Sequence, residues 1–161
     1  MNAKLVSIAL MIRGIPFPPD IERPWAKLDL STPRLGFKLQ IKGATMISSF
    51  SFGQMVIGED QYTADLIILP DLTILPNWRR KEGHLLEIAD LQSVLPLKPN
   101  LIIAGTGANG RMKMAPGLAK ELSFMGIELK ALATGKAVEM FNTTIIRTPD
   151  KRVSACFHLT C

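Results

Sequence analysis

From residue 44 onward, short runs of β-branched, aromatic and aliphatic residues alternate with turn formers. ISSFSF, QMVIG and ADLIIL are separated by Gly53, by Gly58-Glu59-Asp60 and by Pro70-Asp71. Runs this short, bounded by glycine and proline, predict a meander of three or four strands. The next segment, TILPNWRRKEGHLLE, holds a strand-like TIL followed by a polar loop, WRRKEGH. Ile88, Leu91, Gln92 and Leu95 then recur at helical spacing ahead of Pro96 and predict a short helix.

The second half has the stronger pattern. NLIIAG, residues 100–105, is a continuous apolar run ending in glycine, as expected of a strand buried on both faces. Pro116 marks the first turn of a helix carrying Leu118, Leu122 and Met125 on one face, with Gly126 at its left-handed end. Residues 127–132 predict a further strand. Thr134 fits an N-cap for a helix with Ala137, Val138, Phe141 and Ile145 on one stripe, although TTIIR within it also reads as a strand. TPDK is a turn, and RVSACFHL a last strand. Strand, helix, strand, helix, strand with short connections predicts an α/β fold whose parallel βαβαβ unit has right-handed crossovers.

Residues 1–43 differ: prolines at 16, 18, 19, 24 and 33, no sustained periodicity, and scattered bases. They read as an extension, flexible or loosely packed, ahead of one α/β domain over residues 44–161. Lys4 and Arg13 flank the apolar run LVSIALMI with no acid before residue 20, which also suits a secretory or mitochondrial targeting segment. Against those stand the absence of a small-x-small site near Arg13-Gly14-Ile15-Pro16 and the scarcity of Arg and Ser.

With 161 residues, 47% hydrophobic and 20% charged, the chain has enough apolar material for one core. The apolar stretch over residues 5–12 is far shorter than the about 20 residues of a membrane-spanning helix. Cys156 and Cys161 can close only a trivial loop, which fits a reducing compartment. The net charge of +5 is uneven: residues 1–43 hold seven Lys/Arg against three Asp/Glu, leaving twelve against eleven for the rest. The basicity belongs to the extension, and a nucleic-acid partner is not expected. Trp78-Arg79-Arg80-Lys81 is one aromatic with three bases, with Asp71, Glu82 and Glu87 close in sequence, and reads as a solvated loop.

In an open α/β sheet, ligands collect beyond the carboxyl ends of parallel strands. Two such ends fall at residues 105–116 and 133–136. The first, GTGANGRMKMAP, brings glycines, Thr106, Asn109, Arg111 and Lys113; the second brings Thr134 and Lys136. GTGANG matches the dinucleotide fingerprint by letter, but Pro116 delays the helix, and the next strand ends Leu132-Ala133-Thr134 without the acid that would hold a ribose. A glycine-rich turn with no ligand is an equally good reading, and no cofactor is expected. The tail Cys156-x-His158-x-x-Cys161 raises metal binding. A structural zinc site takes four ligands, however, and His84 is the sole other histidine, so no metal is expected. Cys156 reads as a small core residue, with His158 near the sheet edge and Cys161 exposed.

The order of these segments resembles a domain family of unknown function. It is shared by the mitochondrial NADH dehydrogenase (complex I) assembly factor three and an adipogenesis-associated cytosolic protein, with bacterial and archaeal members. The resemblance runs over residues 46–161 on FSFGQMVIG, the Pro76-Asn77-Trp78 loop, LIIAGTG, GLAKELSFMGIELK behind Pro116, ATGKAVEMFN and RVSACFHLTC. It implies a three-layer α/β sandwich with a mixed central sheet and a small N-terminal β meander, and a helix over residues 135–146. The positions matching its motif are Trp78, Gly105, Thr106, Gly107, Pro116, Thr134, Ala137 and Asn142. Family members have no established reaction, and the eukaryotic branch binds partners during respiratory-complex assembly.

No nucleophile, base and orienting group stand in order, and no paired carboxylates fall at the strand ends, so no catalytic residue is expected. The expected function is a non-enzymatic protein-binding module serving assembly or scaffolding of a larger, respiratory-type complex. The alternative, from a different class, is a small-molecule or anion-binding protein, enzymes included. Its candidate crevice comprises Gly105, Thr106, Gly107, Asn109, Arg111, Thr134, Asn142 and Trp78. A protein partner, a small anionic ligand and a homo-oligomer are all compatible with these readings. The bacterial cytoplasm is the expected compartment, with the mitochondrion as alternative.

Overall fold

The structure, a computed structural model, describes residues 46–161. The extension over residues 1–43 and its targeting reading lie outside the described residues. β1 (Ile47–Ser51), β2 (Gln54–Ile57) and β3 (Asp60–Tyr62) form an antiparallel sheet. Its two turns carry Gly53 and Gly58 at φ 75° and 61°, the left-handed conformation tight hairpins demand. β4 (Leu66–Ile68) and β5 (Ile74–Pro76) follow, the turn between them fixed by Asp71 Oδ1 accepting the Thr73 N–H at 3.0 Å. This is the predicted meander, divided between two sheets.

β6 (Leu85–Leu86) pairs in parallel with β8 (Lys113–Met114), a pairing the sequence pattern does not announce. The helix expected from Ile88 is instead two 3₁₀ turns, Ile88–Leu91 and Leu95–Leu97. Pro96 has no N–H to give, and Lys98 stands in left-handed conformation at φ 45°, so a regular helix cannot propagate.

β7 (Leu101–Thr106) is buried along its whole length, as its apolar run predicts. After it come α1 (Leu118–Phe124), β9 (Glu128–Leu132), α2 (Thr134–Arg147) and β10 (Val153–His158). Gly126 sits at φ 75° just past α1, as expected. Two predicted helix starts differ: α1 begins two residues after Pro116, and Thr134 is the first residue of α2 rather than its cap. The TTIIR segment is helical.

The central sheet has the order β5-β4-β10-β7-β9, with β10, β7 and β9 parallel and β4 and β5 antiparallel to their neighbours. The chain steps outward from β7 to β9 through α1, then back across β7 to β10 through α2. Two crossovers of the same hand in opposite directions must place their helices on opposite faces. Accordingly, Ala137, Val138, Phe141 and Ile145 of α2 join Ile47, Met55, Ile57, Leu101, Ile103, Ala155 and Phe157 in one core. Leu118 and Leu122 of α1 join Leu86, Leu91, Val94, Ile102, Ala104, Met112 and Cys156 in the other. The result is the three-layer α/β sandwich with a mixed central sheet. Among the described residues, no helix is long and apolar enough to cross a membrane.

Candidate functional site

One edge of the central sheet collects the carboxyl ends of β7, β9 and β10 and, because β4 runs the other way, the residue that precedes it. Register fixes the neighbours: His158 lies beside Thr106, and Phe157 beside both Gly105 and Leu66. Asp65 therefore stands next to the end of β10. The loop after β5 brings Trp78 and Arg80 to the same edge, since Pro76 pairs with Leu66.

Four of the expected crevice residues meet here and fasten the backbone to itself. Thr134 Oγ1 donates to the carbonyl of His158 at 2.7 Å and accepts the Gly107 N–H at 2.9 Å. The Thr134 N–H donates to the Gly107 carbonyl at 2.9 Å. Thr106 Oγ1 donates to the Leu132 carbonyl at 2.9 Å. A Cβ on Gly105 would come within 2.7 Å of Phe157 Cδ1 and 2.9 Å of Thr134 Oγ1. Gly107 has φ +98°, and a Cβ there would lie 2.4 Å from the carbonyl oxygens of both Thr160 and Cys161. The glycine loop thus closes on residues of the same chain, with the N–H groups of Ala108 and Asn109 donating to the carbonyls of Thr160 and Cys161 at 3.2 and 2.7 Å.

The remaining candidates lie elsewhere or face outward. Asn109 and Arg111 are exposed on the outer side of the loop. Asn142 sits two turns along α2 and clamps the small sheet: its Nδ2 donates to the Ile47 carbonyl at 2.9 Å, and its Oδ1 accepts the Ile47 N–H at 3.0 Å. Trp78 reaches this edge only with its backbone, whose N–H donates to the Asp65 carbonyl at 2.8 Å; its side chain is half-buried in the core beside α1 and donates from Nε1 to the Asp90 carbonyl at 3.1 Å.

The same edge holds a polar cluster that sequence reasoning missed. Asp65 Oδ1 accepts the Leu159 N–H at 2.9 Å, while Oδ2 lies 2.8 Å from His158 Nδ1 and 3.0 Å from Arg80 Nη2. The side chains of Arg80 and His158 are only 4% and 8% exposed. Arg80 was expected in a solvated loop; it is buried because Asp65 supplies the countercharge that makes burial tolerable. Its Nη2 and Nε also donate to the Gly83 carbonyl at 2.7 and 3.2 Å, and its guanidinium lies 4.8 Å from the Trp78 ring centroid. Nη1 is buried without a hydrogen-bond partner, and that ring gives it partial compensation.

Proton bookkeeping fixes the tautomer of His158. A carboxylate only accepts, so Nδ1 carries the proton toward Asp65. The two protons of Arg80 Nη2 go to Gly83 and Asp65, which makes its 3.1 Å approach to His158 Nδ1 a contact between donors. In neutral His158 the Nε2 lone pair is then the acceptor for the Thr160 hydroxyl, 3.5 Å away. Beyond it, His84 Nε2 is 3.0 Å from Cys161 Sγ, and the two imidazoles meet edge to face with centroids 5.7 Å apart. One ligand atom each from His84, His158 and Cys161 lie within 4.8 Å of one another.

Cys156, two residues before His158 on β10, is wholly buried. Burial, only partly offset by Arg80, pushes its thiol up to about 12. Cys161 is half-buried, and neither cysteine is in a disulfide. The tail spacing with His84, set aside above for want of a fourth ligand, did point to this edge; Asp65 and Arg80 carry no such signal, because only the fold brings them beside His158.

Comparison with known proteins places the domain in company. Residues 47–158 match a family described as "Protein of unknown function (DUF498/DUF598)". The solved structure of MT938 is 28% identical, covering 72% of this chain and 98% of that one, with a TM-score of 0.59. A conserved hypothetical protein of Pyrococcus horikoshii is 22% identical over 71% of this chain and 98% of its own, with a TM-score of 0.59. The Rpa2829 protein of Rhodopseudomonas palustris is 23% identical over 71% of this chain and 83% of its own, with a TM-score of 0.57. The last two likenesses concern the fold alone.

Proposed function

The chain belongs to the DUF498/DUF598 family of proteins of unknown function, and on that premise we propose that it works as a non-enzymatic protein-binding module in assembly or scaffolding of a larger complex. One observation carries this reading: the crevice where an α/β sheet would hold a small ligand is filled by the chain itself. Thr134 is fully buried, and its N–H and hydroxyl are committed to Gly107 and His158. The N–H groups at residues 107–109, which would cradle an anion, all donate to backbone carbonyls or to Thr134. What the domain turns outward instead includes Phe124 and Met125, adjacent at the end of α1 and 79% and 56% exposed. The partner role is further supported by the resemblance to assembly factors. The compartment that suits two unpaired cysteines is reducing, the bacterial cytoplasm, with the mitochondrion as alternative.

The second reading, a small anionic ligand, draws on the exposed side chains of Asn109 and Arg111. Two experiments on the full chain separate them. Retention of a stoichiometric protein partner, lost in a folded Phe124→Ser, Met125→Ser variant, supports the module. A thermal-shift screen of phosphate, nucleotides and carboxylates would overturn it if one compound gave a saturable stabilisation that Arg111→Ala abolished. At 100 times its Kd such a ligand adds about 2.7 kcal/mol.

A further inference from the structure

We propose that His84, His158 and Cys161 form a three-ligand site for a zinc-class divalent ion, with the fourth position open to water. His158, which ends β10, and Cys161, three residues on, are sequence neighbours, and the fold brings the distant His84, which leads into β6, against them. Two imidazoles and a thiolate are the donor set that favours zinc, copper or nickel over magnesium or calcium. Three protein ligands with an open fourth position is the pattern of zinc sites that bind water or substrate.

Geometry agrees. In a tetrahedral site with Zn–N near 2.0–2.1 Å and Zn–S near 2.3 Å, neighbouring ligand atoms stand roughly 3.3–3.6 Å apart. His84 Nε2 and Cys161 Sγ are already 3.0 Å apart, and the widest separation in the trio is at most 4.8 Å. His84 is exposed and Cys161 half-buried, so rotation of these two side chains can close the set around an ion. The third ligand does not need to move. His158 Nδ1 is tied to Asp65 Oδ2 at 2.8 Å, which fixes the ring and leaves Nε2 to face the ion, in place of the long 3.5 Å hydrogen bond it accepts from Thr160 Oγ1. A carboxylate holding the far nitrogen of a ligating histidine is the usual outer support of a zinc site. The Arg80 charge, 3.0 Å from the same carboxylate, is matched by it and leaves little net positive charge against the incoming ion.

An ion here would clamp the residues that close the glycine loop to the segment after β5. This inference rests on the trio alone and is independent of the partner-binding reading. Its competitor is a Cys161–His84 thiol–imidazole pair that binds no metal.

The test uses the full chain, reduced and stripped with EDTA, titrated with Co2+ and then with Zn2+ against a chromophoric chelator. The expected result is one equivalent of Co2+ with a thiolate-to-cobalt charge-transfer band, displaced by Zn2+. Cys161→Ser abolishes the band, His84→Ala weakens binding at least about 10-fold, and Cys156→Ala leaves both unchanged. His84 is exposed, so its variant keeps the fold, which circular dichroism checks. Zn2+ should also slow alkylation of Cys161 by iodoacetamide. A missing band, a band that survives Cys161→Ser, affinity indifferent to His84→Ala, or alkylation unaffected by Zn2+ would each overturn the site.

Discussion

Thr134 Oγ1 donates to the carbonyl of His158 at 2.7 Å and joins the first turn of α2 to the end of β10. Because the same hydroxyl accepts the Gly107 N–H, one side chain satisfies two buried backbone groups, one at the end of β10 and one just after β7. Thr134→Val keeps the shape and removes both bonds. Orphaning buried groups costs about 1–3 kcal/mol each, so the variant should lose about 2–6 kcal/mol in urea unfolding. Thr134→Ser, which keeps the hydroxyl, should lose less than about 1.5 kcal/mol. Equal losses would mean that the methyl group matters as much as the hydroxyl and would contradict this assignment.

Two glycines with similar backbone strain separate conformation from crowding. Gly107 and Gly126 both have positive φ, +98° and +75°, but a Cβ meets two carbonyl oxygens at 2.4 Å at Gly107 and nothing within 4 Å at Gly126. Gly126→Ala should cost about 1–2 kcal/mol, the left-handed penalty alone. Gly107→Ala should cost more than about 3 kcal/mol, because backbone on both sides must shift. Comparable midpoints for the two variants would show that residues 160 and 161 do not close over the loop.

The Arg80–Asp65 pair is the most buried ion pair among the described residues, with side chains 4% and 16% exposed. Arg80→Met keeps the stem against Trp78 but leaves the Asp65 charge without its guanidinium. The expected loss is about 2–4 kcal/mol, below the full penalty for a wholly buried partner because Asp65 keeps some solvent. Arg80→Lys should recover only part of it, since one ammonium cannot reproduce the forked contacts to Gly83 and Asp65. Urea midpoints for the three chains check this.

Much of this was legible locally. The apolar run of β7, the α2 stripe of Ala137, Val138, Phe141 and Ile145, and the stop at Gly126 all carry their structure in their own spacing. The strand-end rule pointed to the edge where Gly105 and Thr134 meet. What it missed depends on contacts far apart in sequence. Arg80 reads as solvated until Asp65, fifteen residues earlier, arrives beside it through the pairing of β4 with β5. His158 joins the edge only because β10 returns beside β7. Thr134 looks like a cap, but its hydroxyl serves His158, 24 residues away, rather than its own helix.

Acid should expose a small, assignable contribution from Glu128. Hydrogen bonds from Lys130 and then Lys151, at 3.0 and 3.3 Å, hold its carboxyl below the usual 4.5. A depressed carboxylate stabilises the fold above the unfolded value, and that stability disappears as pH falls through the folded value. The side chain is 47% exposed, so screening limits the effect to less than about 0.5 kcal/mol. Glu128→Gln should therefore flatten the stability curve slightly below pH 4.5 and leave it unchanged in high salt. A loss above about 1 kcal/mol at neutral pH would contradict the surface assignment.

The most direct test of the closed crevice is amide exchange and chemical-shift mapping of the 15N-labelled full chain, with and without inorganic phosphate, a nucleotide and a dicarboxylate. The expected result is slow exchange at Gly107, Asn109 and Thr134, whose N–H groups are all internally bonded, and no saturable shift at these three amides with any of the compounds. Fast exchange at all three, or saturable shifts centred on them, would show an open ligand site where the partner-binding account places a structural seam.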